Sequence, residues 1–154
     1  MAQIRGDEDG ISIIYSDDMN HLKYPYLIGS PLYVKRILLN LITNSIKYNQ
    51  KNGSVYCSFT ERVLSDANVE LNIVIKDNGI GMSESFLKEI FKPFVQADTG
   101  ARSTYMGTGL GMSIVKNLLE RMEGTIQIDS TEGVGTSVNV TIPFEIARET
   151  PSLI

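Results

Sequence analysis

The chain has 154 residues, enough for one domain, and its 42% hydrophobic and 21% charged content is that of an ordinary globular protein. Fourteen Lys+Arg against 18 Asp+Glu leave a net charge of −4, which argues against nucleic acid or an acidic membrane surface as a partner. The single cysteine, Cys57, excludes an internal disulfide and a CxxC-type zinc site, and no apolar run reaches the length of a membrane span. With no leader pattern at the start, a cytoplasmic location is expected.

Residues 1–10, "MAQIRGDEDG", are polar and are expected to be a flexible N-terminus or an expression scar. Ile11, Ile13 and Ile14, then "YPYLIG", predict two short strands around turn-forming Asp17, Asp18 and Asn20. Ser30-Pro31 reads as an N-cap followed by proline at the first helical position. Val34, Ile37, Leu38, Leu41 and Ile42 then recur at helical spacing until "NQKNG" stops the helix at Gly53. Val55, Cys57 and Phe59, and after the turn "SDAN" Val69, Leu71, Ile73 and Ile75, alternate with polar positions and predict an antiparallel hairpin. Ser83 caps a short helix "ESFLKEIF", and "QADTGARSTYMG" reads as an exposed loop. A long helix over 110–122 ends at Gly124, and "TIQIDS", "TEGVG" and "TSVNVTIPF" close the chain as another hairpin. About three helices and six strands, joined by hairpins, predict an α+β two-layer sandwich with a mixed, largely antiparallel sheet and helices on one face. The domain is expected over 11–146, with 147–154 as a tail or linker.

Three stretches carry potential chemistry. In the first long helix Asn40, Asn44, Lys47 and Tyr48 stand at i, i+4, i+7 and i+8, beside the apolar face. Asparagine is a poor helix former, so the face reads equally as a site and as a solvated surface. In "KDNGIGMS", Asp77 ends a buried strand, and Gly79 and Gly81 permit a sharp turn open to a flat ligand. An Asp-stabilised turn is the plainer reading of that motif alone. In "TYMGTGLGMSIVKNLLERMEG", Gly107, Gly109 and Gly111 precede a helix. Met112 occupies the third glycine position of a dinucleotide fingerprint, and no lysine follows as a Walker A loop requires. What remains is GxGxG at a helix N-terminus, where free N–H groups favour an anion.

In order and spacing, "NLITNSIKYN", "DNGIGM", "FKPF" and "GTGLGMSIVKNLLERMEG" resemble the N, G1, F and G2 boxes of the ATP-binding catalytic domain of sensor histidine kinases, in the GHKL ATPase superfamily. The resemblance covers nearly the whole chain and implies a Bergerat-type fold; "FKPFVQAD" with "ERMEG" is most similar to the subgroup common in hybrid histidine kinases. It implies ATP and Mg²⁺ as ligands, with Asn44 on the metal that bridges the phosphates, Lys47 reaching them and Tyr48 packed on adenine. It implies Asp77 as acceptor from adenine N6, Gly79, Gly81 and Met82 around the base, and Thr136 near it. Gly107, Gly109 and Gly111, with the backbone at Thr108 and Leu110, correspond to the phosphate cradle.

Asn40 stands where the ATP-hydrolysing branches of the superfamily carry a glutamate that activates water. An amide is not a general base near neutral pH, so transfer to an external nucleophile is implied instead of hydrolysis. The segment 95–106 corresponds to the ATP lid, flanked by Phe91 and Phe94, with Arg102 as its one basic residue and a candidate γ-phosphate contact. The family's acceptor histidine lies on a separate dimerisation domain, whereas His21 sits in the loop "DDMNHLKYP". The implied partners are therefore that histidine-bearing domain and, through the parent kinase, a response regulator receiver domain, with no nucleic acid and no direct membrane contact. Two other readings share the pattern: a non-catalytic nucleotide-binding module, which the intact boxes speak against, and an anti-sigma-type serine kinase, less consistent with "FKPF" and "GTGLG".

Overall fold

The structure, a computed structural model, describes residues 2–6 as backbone, together with 10–16, 21–93 and 111–148. The elements follow as β1 (Ala2–Gly6), β2 (Ile11–Tyr15), β3 (Leu27–Ile28), α1 (Pro31–Lys47), β4 (Ser54–Val63), β5 (Asn68–Asp77), α2 (Glu84–Glu89), α3 (Gly111–Arg121), β6 (Thr125–Thr131) and β7 (Gly135–Ile146). The strands form one sheet in the order β1-β2-β4-β5-β7-β3, with β6 also paired to β7. Among the described strands only β2 and β4 pair in parallel, because α1 carries the chain across between them. This is the expected α+β architecture.

The period-2 pattern of the long strands decides the buried face. Cys57 pairs with Ile75, Ile75 with Val138, and Ile73 with Val140, so the inward side chains meet in rows across three strands. Ile37 and Leu41 of α1 and Val115 and Leu119 of α3 are buried in the same core as this face. Tyr56, Lys76 and Gln127 occupy alternate positions and remain exposed.

Two expectations are corrected. The N-terminus was expected to be loose to residue 10, but Ala2–Gly6 pairs antiparallel with β2, from Ala2 opposite Tyr15 to Gly6 opposite Ile11. Main-chain hydrogen bonding to an otherwise open strand edge stabilises it, and such bonding leaves no side-chain pattern to read. Together with β1 the described strands number seven, one more than the hairpin pattern indicates. The end of α3 was assigned to Gly124, but Glu123 takes the left-handed conformation, with φ 57°. The Glu123 amide donates to the Glu120 carbonyl at 3.2 Å and the Gly124 amide to the Leu119 carbonyl at 2.8 Å, the bond pair of a Schellman cap. Gly124 is demanded by packing instead, since a side-chain carbon there would lie 2.8 Å from the Thr141 carbonyl oxygen.

Cys57 is fully buried, and burial pushes its thiol up to about 11. Alkylation requires the thiolate, so native protein is expected to react with a thiol reagent at neutral pH only as fast as it unfolds. Comparing the labelling rate with the unfolding rate in a denaturant series checks this.

Candidate functional site

The Ser30 hydroxyl accepts the Tyr33 amide at 3.2 Å and starts α1 with Pro31 in its first turn. With Ile37 and Leu41 fixed in the core, the helical period brings Asn40, Asn44 and Lys47 to a half-buried flank. That flank faces the start of α3: a side-chain carbon on Gly111 would lie 3.5 Å from Asn40 Oδ1 and 3.9 Å from Asn44 Nδ2. Two amides thus face a helix N-terminus, the positive end of the helix dipole. The Lys47 ammonium lies 5.0 Å from the centroid of the Tyr48 ring, which adds a cation beside an aromatic surface at the end of α1.

Ser45, the residue after Asn44, turns to the other half of the site. Ser45 is buried and its hydroxyl donates to Asp77, the last residue of β5. Asp77 Oδ1 also accepts the Gly79 amide at 2.9 Å and the Thr136 amide at 3.3 Å. Burial raises the carboxyl pKa, and these three hydrogen bonds pull it partly back. The result is a fixed carboxylate at the end of the sheet, 8% exposed, suited to accept from one donor of a planar ligand.

The turn that follows is held from both sides. The Ile80 amide donates to the Tyr48 carbonyl at 3.0 Å, and the Gly133 amide to the Ile80 carbonyl at 2.7 Å. A side-chain carbon on Gly79 would lie 2.3 Å from the Tyr48 carbonyl oxygen. One on Gly81, where φ is 66°, would lie 2.0 Å from the Thr131 carbonyl oxygen. The sequence suggests that these glycines leave room for a flat ligand. At the positions a side chain would take, the room is filled by protein backbone, so the glycines let this turn pack closely against the end of α1 and the turn after β6. The Met82 amide completes the seam by donating to Ser130 Oγ at 2.9 Å.

Asn40, Asn44, Lys47, Tyr48, Asp77, Gly79, Gly81, Met82, Gly111 and Thr136 therefore sit along one continuous path, from α3 across the C-terminal half of α1 to the ends of β5 and β7. Arg102, Gly107, Thr108, Gly109, Leu110 and Phe94 lie outside the described residues. Phe91 packs against the core, with the Lys116 ammonium 5.4 Å from its ring centroid. His21 is exposed in its loop. Sequence reasoning missed Ser45 and Ser130. Each was signalled by a hydroxyl where an apolar residue continues the pattern: Ser45 four residues after Leu41, and Ser130 after Ile126 and Ile128.

With this geometry in place, comparison with known proteins is decisive. Residues 29–146 match the family described as histidine kinase-, DNA gyrase B-, and HSP90-like ATPase. The chain belongs to this ATPase family. Within it, the chain is similar to Histidine protein kinase 1 of Candida albicans, 34% identical over 91% of this chain and 6% of the relative. It is 36% identical to Sensor histidine kinase GacS of Pseudomonas protegens, over 90% of this chain and 14% of the relative. The chain thus spans a small fraction of the length of these kinases. Full-length ShkA, solved in complex with AMPPNP, superposes with a TM-score of 0.67 at 26% identity, over 91% of this chain and 27% of that one. The mycobacterial sensor histidine kinase MprB shares the fold at a TM-score of 0.65 and 22% identity, over 89% of this chain and 84% of that one. The family member described here is accordingly an ATP-binding domain of the sensor histidine kinase type. No helix among the described residues is long and apolar enough to cross a membrane.

Proposed function

We propose that this domain lies in the cytoplasm, binds Mg²⁺-ATP and delivers the γ-phosphoryl group to a histidine on a separate dimerisation domain of its parent kinase, from which a response regulator would receive it. The observation that carries the reading is the convergence of Asn40 and Asn44 on the N-terminus of α3 at Gly111, with Asp77 fixed beyond the same helix. Asp77 accepts from the adenine amine, and Tyr48 covers the ring. Asn44 and Lys47 face the phosphates, and the helix N-terminus supplies partial positive charge.

Among the described residues no three His, Cys, Asp or Glu side chains come together as a metal site. The amide oxygen of Asn44 is a hard, neutral donor that fits a magnesium ion whose remaining positions would be filled by phosphate oxygens and water. Such an ion neutralises phosphate charge, while the protein's part is to hold and orient the nucleotide. Asn40 cannot take a proton from water, which disfavours hydrolysis; in the transfer, the bond between the γ-phosphorus and the bridging oxygen breaks as the unprotonated nitrogen of the acceptor imidazole bonds to phosphorus, ADP leaves, and the other ring nitrogen gives its proton to solvent.

Calorimetry with ATP and ADP, with and without magnesium, is expected to show magnesium-dependent binding that an Asn44→Ala variant loses by about tenfold or more. Unchanged affinity in that variant would remove Asn44 from the site. Acid-labile phosphate on an added histidine-bearing dimerisation domain would support transfer, and nucleotide binding without it would leave a binding module.

A further inference from the structure

One hydroxyl of the seam is assigned no role by the box motifs. Ser130, half-buried at the inner end of β6, accepts the Met82 amide at 2.9 Å and donates to the Gly135 carbonyl at 3.0 Å. It also lies 2.8 Å from Thr136 Oγ1. A serine hydroxyl has one proton and two lone pairs. The carbonyl can only accept, so Ser130's proton goes to Gly135, and the Thr136 hydroxyl must supply the proton of the third contact. All three hydrogen-bonding capacities of Ser130 are then used, and the Thr136 hydroxyl proton is committed within the protein. Ser130 thereby ties the segment after Gly81 to the turn between β6 and β7, one residue from the amide that Thr136 gives to Asp77.

We propose that Ser130 is a positioning residue for the nucleotide base, acting through Thr136 and Met82 to fix the edge on which Asp77 reads the exocyclic amine. The proposal rests on the nucleotide-binding reading above. Without the hydroxyl, the Met82 amide loses its acceptor and the Thr136 hydroxyl is released to turn towards the ligand. Asp77 keeps its charge but loses the rigid neighbour that aims it. The loss therefore falls on recognition of the base, more than on affinity for the phosphates.

The test uses calorimetry with magnesium and two probes, ADP and inosine diphosphate, in which an oxo group replaces the amine. In Ser130→Ala, ADP affinity is expected to fall about tenfold, the loss of one or two buried hydrogen bonds, while inosine diphosphate affinity changes little. Preference for adenine thus narrows, and Ser130→Thr, which keeps the hydroxyl, restores it. Wild-type affinities for both probes in Ser130→Ala would overturn the proposal. So would an equal loss for both with a lowered melting temperature, which is the signature of a structural role alone. If wild-type protein binds neither probe, the nucleotide reading itself falls and takes the role of Ser130 with it.

Discussion

Asp77→Asn is expected to weaken ATP binding about a hundredfold or more while leaving the fold as stable as before, or more so, at neutral pH. The amide oxygen of an asparagine can keep both backbone donors that now meet Oδ1, those of Gly79 and Thr136. Its NH₂ group replaces the oxygen left for a ligand and sets donor against donor where an exocyclic amine arrives. Losing a hydrogen bond to a charged group costs about 1.5–3 kcal/mol, and the opposed donors add to that. Stability moves the other way because a buried charge is removed.

The sign of the pH dependence follows from the raised carboxyl pKa. Between the ordinary value of 3.8 and the higher folded value, the native state holds more proton than the unfolded chain. This contribution to stability is fully present below 3.8 and is lost as pH rises through that window. Urea midpoints measured across the acid range should therefore show wild type losing ground relative to Asp77→Asn as pH rises. A constant difference between the two would show that burial does not perturb this carboxyl.

Gly111→Leu is expected to abolish nucleotide binding with the fold intact, and Gly79→Ala to unfold the site even though alanine is the smaller replacement. At Gly111 a first side-chain carbon meets Asn40 at ordinary contact distance, 3.5 Å, so a longer side chain extends into the space before the two amides. At Gly79 the first carbon would lie 2.3 Å from a main-chain oxygen that cannot rotate away, and overpacking of that kind costs about 1–3 kcal/mol or more. Thermal melts paired with ATP titrations separate the two cases. Retained affinity in Gly111→Leu would detach the start of α3 from the phosphates.

Much of this was legible in the sequence because the informative residues obey a period. Cys57 and Phe59 against Ile75 and Ile73 gave the central hairpin, and Ser30-Pro31 the start of α1, from local rules that the tertiary structure does not override. Asn40 and Asn44 were visible as unusual helix residues, but their direction was not, since it depends on where α3 packs. β1 escaped because its partner is a main-chain edge. The left-handed Glu123 escaped because its conformation is set by the Leu119 and Glu120 carbonyls, and a nearby glycine offered a simpler explanation. Ser45 and Ser130 escaped because a serine inside an apolar series reads as an imperfection until its partners are seen.

The pairing of Asp77 with Thr136 joins residues 59 apart in the chain, at the far end of a ladder that begins with Asn68 opposite Glu145. β4 and β5 are joined by a short turn, whereas this contact closes a loop that holds the intervening helices and β6, and closing a longer loop costs more chain entropy. Asp77 gains its Thr136 donor only where the β5–β7 ladder is complete at this end, and a partly folded form without that ladder lacks the contact. Nucleotide can then stabilise only the finished molecule, by about 2.7 kcal/mol at a hundred times its dissociation constant. A ligand held at this end of the ladder would shift the balance towards the folded chain, so the population of complete molecules would rise with nucleotide concentration.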